Sequence, residues 1–123
     1  MSVMLVTLAL ALLAPGQPSY PAASTPEAAI YRGSIVFQHY CVLCHGAKAD
    51  GKGRAAKLYQ PKPADLVHTD KNAQYIELIV RKGGLAVGRS QFMPPWGEEL
   101  TEEQIGDVVA YIESLRTPQA RPR

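Results

Sequence analysis

Residues 41–45 read Cys41-Val42-Leu43-Cys44-His45, and the reading of these five decides what the rest of the chain serves. On a helix, positions three apart share a face, so both sulfurs would point to the same side. A haem carries two vinyl groups that can take two such thiols as thioethers. The histidine beside the second cysteine can then turn a ring nitrogen onto the iron. This is the C-x-x-C-H pattern of c-type haem attachment. Two other uses of the same residues stand beside it. A thioredoxin-like redox pair belongs near βαβ segments, and no strand-rich segment flanks Cys41. A structural zinc site needs four ligands, commonly with a second pair at short spacing, and His39 and His68 make no such pair.

Outward from the motif, the chain reads as helices separated by loops. Ser24 or Thr25 can cap a first helix, Pro26 suits its first turn, and Glu27 favours its positive end. Ile30, Ile35, Val36, Phe37 and Tyr40 carry that helix into the haem motif. Gly33 interrupts them at a cost of about 1 kcal/mol relative to alanine, which points to a close approach by another helix. From 46 to 63 the period is lost among Gly46, Gly51, Gly53, Pro61 and Pro63, which predicts a loop. Gly46, Gly51 and Lys52 imitate a phosphate-binding loop. Gly53 stands where that loop needs Ser or Thr, and no strand precedes it, so a nucleotide site is rejected. A second helix is predicted over 70–82, capped by Asp70 or Asn72 and stopped by Gly83 and Gly84. Residues 85–96 read as an extended loop. The last helix starts at Thr101, which forms a capping box with Gln104. Its stripe is Ile105, Val108, Val109, Ile112 and Leu115, and Pro118 marks its end.

Haem iron held by one histidine has a sixth position, and its occupant decides the chemistry. Apart from Met1 and Met4 the only methionine is Met93. It lies in a loop able to return to the far side of the ring, stiffened by Pro94 and Pro95. A histidine–methionine axis raises the reduction potential. His68 is the rival ligand, and filling the core is the other use of a methionine. His39 precedes Cys41 on the same helix and could hardly reach the far face.

Residues 3–14 form an apolar run relieved only by Thr7. It is short for a membrane span and suits a signal-peptide core, although no Lys or Arg precedes it. The expected organisation is a signal peptide over 1–23 with its cleavage point open, a domain over 24–116 and a flexible tail over 117–123. An uncleaved membrane anchor is the alternative. At 123 residues with a formal charge of +2, the chain is one small domain and too nearly neutral to argue for nucleic acid.

From about residue 27 to 115 the chain resembles a bacterial class I monohaem cytochrome c. The resemblance rests on Cys41-x-x-Cys44-His45, Gly51-x-Gly53, Pro61-x-Pro63-x-Asp65-Leu66, Met93-Pro94-Pro95-Trp96 and Val108-Val109-Ala110-Tyr111-Ile112. It implies an all-α cytochrome c fold, three to four helices around one covalent haem c. Cys41 and Cys44 would carry the thioethers, and His45 and Met93 would be the axial iron ligands. Leu66 and Trp96 would pack on the ring. Gly33 and Phe37 would meet Val108 and Tyr111 where the first and last helices cross. A backbone carbonyl in the turn 61–65 would orient His45. The Lys-rich loop after the motif departs from the acidic or glycine-rich loop of many bacterial members.

With both axial positions filled no coordination site is open. The expectation is therefore a periplasmic one-electron carrier rather than an enzyme. Its partners would be a donor dehydrogenase and an acceptor oxidase or reductase. A haem subunit held in a dehydrogenase or reductase complex is the alternative, as is a haem enzyme or gas sensor with a labile sixth ligand. Lys48, Lys52, Arg54, Lys57 and Lys62 could steer an acidic partner. Glu98, Glu99, Glu102, Glu103, Asp107 and Glu113 read as an acidic cluster at the last helix.

Overall fold

Thr25 opens the first helix: its hydroxyl accepts the Ala28 amide at 3.2 Å, with Pro26 and Glu27 in the first turn. The computed structural model describes residues 24–116, so the expected leader and tail, with Pro118, lie outside the described residues. Helix α1 spans Pro26–Tyr40 and the one-turn α2 spans Val42–His45. The longer α3 spans Ala73–Lys82 and α4 spans Glu102–Leu115. Short 3-10 turns lie at Ala56–Leu58 and Leu85–Val87, and no strand occurs among the described residues. The architecture is the all-α one that the sequence implies.

The first helix does not run unbroken through the haem motif. Cys41 sits between α1 and α2 at φ −115°. Its carbonyl accepts two amides, from Cys44 at 3.2 Å and His45 at 2.9 Å. Such sharing, common at helix ends, bends the path without losing the three-residue spacing. Asn72, not Asp70, caps α3, accepting the Tyr75 amide at 2.9 Å. The expected extended loop over 85–96 begins with a 3-10 turn because the Gly84 carbonyl gathers the amides of Val87 and Arg89 at 3.1 and 2.8 Å.

The core forms where α1 crosses α4. A Cβ on Gly33 would collide with the Asp107 carbonyl and lie 2.9 Å from Tyr111 Cβ, so only glycine permits this approach. Phe37, Ile105 and Val108 are fully buried there, and the Phe37 and Tyr111 rings stand 5.4 Å apart. Asp107, one of the acidic residues clustered at the last helix, is buried. The glycine lets the two backbones close over it, and Arg32 grips both its oxygens, at 2.6 and 2.9 Å. Arg81 ties α3 to α4, bonding Glu77 at 2.8 Å and Glu102 at 2.9 Å.

Candidate haem site

Backbone bonds fold the loop after the motif back onto α2: Gly51 to His45, Gly53 to Cys44 and Ala55 to Leu43, at 2.9, 3.0 and 3.0 Å. The Leu66 amide then reaches the buried Ala49 carbonyl at 2.8 Å. On the other side the Trp96 amide bonds Val80 at 2.9 Å, and the Gly84 amide bonds Met93 at the same length. Between these pinned segments lies a cleft of about 940 Å³. That is near the upper end of the range of roughly 300–1,000 Å³ for small-molecule and cofactor sites.

Cys41, Cys44, His45, Leu66, Met93 and Trp96 all line this one cleft. His39 and His68 do not: His39 Nδ1 stands 3.0 Å from its own helix carbonyl at Ile35, and His68 Nδ1 stands 2.9 Å from Asp65. A shallower depression of about 400 Å³ beside α1 and α4 holds none of the six.

His45 Nδ1 lies 3.0 Å from the Ala64 carbonyl. A carbonyl only accepts, so the proton sits on Nδ1 and the lone pair of Nε2 is left for a ligand role. Burial lowers the basicity of the imidazole, opposed in part by the Ala64 carbonyl. The neutral ring, the form that binds metal, is thereby favoured. Burial, with the nearby Cys44 adding to it, pushes the Cys41 thiol up to about 12. A redox pair of the thioredoxin kind needs the opposite shift. Among the described residues no three His, Cys, Asp or Glu side chains gather as a metal cage would require, which leaves the zinc reading without support.

Several lining residues escaped the sequence reading. Tyr40 sets its ring edge-on to Trp96, at 5.3 Å between centroids. Tyr59 and Phe92 meet at 5.0 Å, joining the loop that carries Ala64 to the loop that carries Met93. Lone aromatics in Gly/Pro-rich loops were a usable signal for Tyr59 and Phe92, although nothing in the sequence pairs them.

The cleft suits a haem. Its walls are mostly apolar, Lys62, Lys71 and Arg89 reach it, and no Asp or Glu does. A flat apolar macrocycle bearing two carboxylates is complementary to such a lining. An imidazole and a thioether are also a donor set that haem iron takes.

Comparison with known proteins points the same way. The family described as cytochrome c oxidase, cbb3-type, subunit III matches residues 28–112. The chain is 30% identical over 100 residues to the cbb3-type cytochrome c oxidase subunit FixP of Sinorhizobium medicae (strain WSM419). That match covers 76% of this chain and 32% of the relative, so the chain spans about a third of the relative's length. It is also similar to a chain of the reducing HAO-like protein complex of Kuenenia stuttgartiensis. There the TM-score is 0.57 with 26% identity, covering 69% of this chain and 41% of that one.

Proposed function

This chain belongs to the cytochrome c oxidase, cbb3-type, subunit III family, c-type cytochrome domains that transfer electrons through covalent haem c, and from that premise we propose a periplasmic one-electron carrier with a histidine–methionine axis. The observation that carries the reading is the gathering of Cys41, Cys44, His45 and Met93, from segments about fifty residues apart, around one apolar cleft.

The haem, when bound, supplies a one-electron ferric–ferrous couple. Cys41 and Cys44 would hold it through two thioethers. His45 would present Nε2, its ring fixed by the Ala64 carbonyl. Met93 would present its sulfur from a loop whose backbone is tied to Gly84. Leu66 and Trp96 would exclude water from the faces, which keeps the environment similar in both oxidation states. With His45 and Met93 both given to the iron, no position would be left for bond chemistry, and the domain would act as a carrier rather than an enzyme.

Carbon monoxide tests this. The reduced protein, matured in an exporting host, is expected to show a low-spin spectrum that carbon monoxide leaves unchanged. Rapid binding of the gas would instead establish a labile sixth ligand. Met93→Ala should abolish the near-infrared band of methionine–iron ligation, and survival of the band would contradict the assignment.

The comparisons favour a second reading, a haem subunit working within a larger redox assembly, because the FixP relative is named as an oxidase subunit and the structural neighbour belongs to a complex. Co-purification from native membranes or periplasm with a larger redox protein would select it; a chain recovered alone from both would select the diffusible carrier.

A further inference from the structure

The charge around the cleft is one-sided, and two of its cations come together. Lys71 lies just before the cap of α3, while Arg89 lies in the loop leading to Met93, and both line the cleft. Both also act on one carboxyl, that of Asp70, which stands exposed outside it. Lys71 Nζ is 3.0 Å from Asp70. The hydrogen bond from Lys71 is the main cause holding Asp70 below the usual carboxylate range, and the charge of Arg89 contributes. Both cations therefore line the cleft within electrostatic reach of the one carboxyl outside it, and that side of the cleft is its cationic corner.

That corner is firmly seated. Lys71 Nζ lies 5.9 Å from the centroid of the Tyr75 ring, and the Lys71 amide bonds Thr69 Oγ1 at 3.3 Å. The Thr69 carbonyl accepts from the buried guanidinium of Arg116 at 3.0 Å. Thr69 and Tyr75 line the cleft as well, adding two hydroxyls beside the two cations. Paired cations and hydroxyls, open to an apolar space that no Asp or Glu lines and with Asp70 holding one of the cations from outside, form a receptor for one carboxylate.

The carboxylates of a haem are two propionates, on the pyrrole rings that lack the vinyl groups. The cations receiving them must then lie away from the segment that carries the thioethers. Lys71 and Arg89 do, both coming from other segments than Cys41 and Cys44. We propose that Lys71 and Arg89, with Thr69 and Tyr75, form a carboxylate-binding corner that takes one propionate and keeps it ionised. The corner rests on the haem c reading. Its neighbours able to titrate are Asp70 outside it, Tyr75 on α3, Tyr59 and Lys62 on the loop after the first 3-10 turn, and Tyr40 and His45 elsewhere around the cleft.

The test is the midpoint potential of the holoprotein against pH. A carboxylate near the iron stabilises the ferric state, so the potential falls where that carboxylate ionises. Two neighbouring cations hold this ionisation at low pH. Lys71→Gln with Arg89→Gln is expected to move the fall upward by about one pH unit or more. Lys71→Arg restores the native profile, and Lys57→Gln, at an exposed site off the cleft, leaves it unchanged. Arg89→Gln alone, also at an exposed position, gives a smaller shift of the same sign and keeps the test open should the double variant not load haem. A double variant with intact thioether haem and methionine–iron band, yet the native profile, would overturn the corner. Wild-type protein without covalent haem would instead remove the reading on which it rests.

Discussion

The crossing of α1 with α4 and the walls of the cleft are both built on a glycine, and they end differently. At Gly33 two helices close until backbone meets side chain and backbone, and the surface between them is filled by Phe37, Ile105 and Val108. At Gly53 a loop closes on α2, where a Cβ would collide with the Leu43 carbonyl oxygen and lie 2.6 Å from that of Cys44. Yet that contact walls a cleft of about 940 Å³ which no side chain among the described residues fills. Leu43, Leu85 and Phe92, all lining it, remain exposed. The first region completes its own packing; the second is half of an interface whose other half is the cofactor. A domain of this size has little core to spare, so the bound macrocycle supplies what the chain omits.

The largest expected effect breaks the first region. Gly33→Leu must drive α1 from the Asp107 backbone, and overpacking of that kind costs about 3 kcal/mol or more. Thermal unfolding should show a much lowered midpoint together with a lowered holoprotein yield. An unchanged midpoint would mean the crossing tolerates bulk. Gly53→Val acts on the second region, lifting the loop from α2 at about 2 kcal/mol. Here hydrogen exchange should quicken over residues 46–66 while α1 and α4 stay protected; uniform quickening would show that the regions are one unit.

Smaller changes sharpen the contrast. Thr101→Ala removes the hydroxyl that accepts the Gln104 amide, a loss of about 1 kcal/mol confined to α4. Denaturant titration should show it without any change in haem spectrum. The smallest effect concerns acid. The bond from His68, aided by the amides of His68 and Val67, holds the Asp65 carboxyl below its ordinary value of 3.8. A lowered folded-state pKa adds stability above that value and loses it as pH falls through the folded one. Asp65→Asn should therefore be less stable than wild type at neutral pH, with the gap closing below 3.8. A gap independent of pH would contradict the assignment.

The two regions also differ in how much of them the sequence disclosed. Helical period, the Thr101–Gln104 box and the costly Gly33 carry α1 and α4 almost entirely, because local spacing encodes which face is buried. The cleft is encoded otherwise. Residues 41–45 and Met93, singled out from the sequence, include Cys41, Cys44, His45 and Met93, which line it, but its walls are loops held by backbone bonds between distant segments, such as Leu66 to Ala49 and Gly84 to Met93. Those bonds depend on no side chain, so no pattern of residue types announces them. That is why Ala64 emerged as the carbonyl facing His45 only in the structure, inside a turn already suspected. The burial of Asp107 was not legible either: the close approach at Gly33 puts it beside Arg32 and out of water, and no local spacing encodes that.

The account is tested most directly by the mass of the denatured chain after maturation in a host that exports and attaches haem. It predicts one chain carrying one haem that survives unfolding, with no free thiol at Cys41 or Cys44. An unmodified chain with both thiols open to alkylation would contradict it.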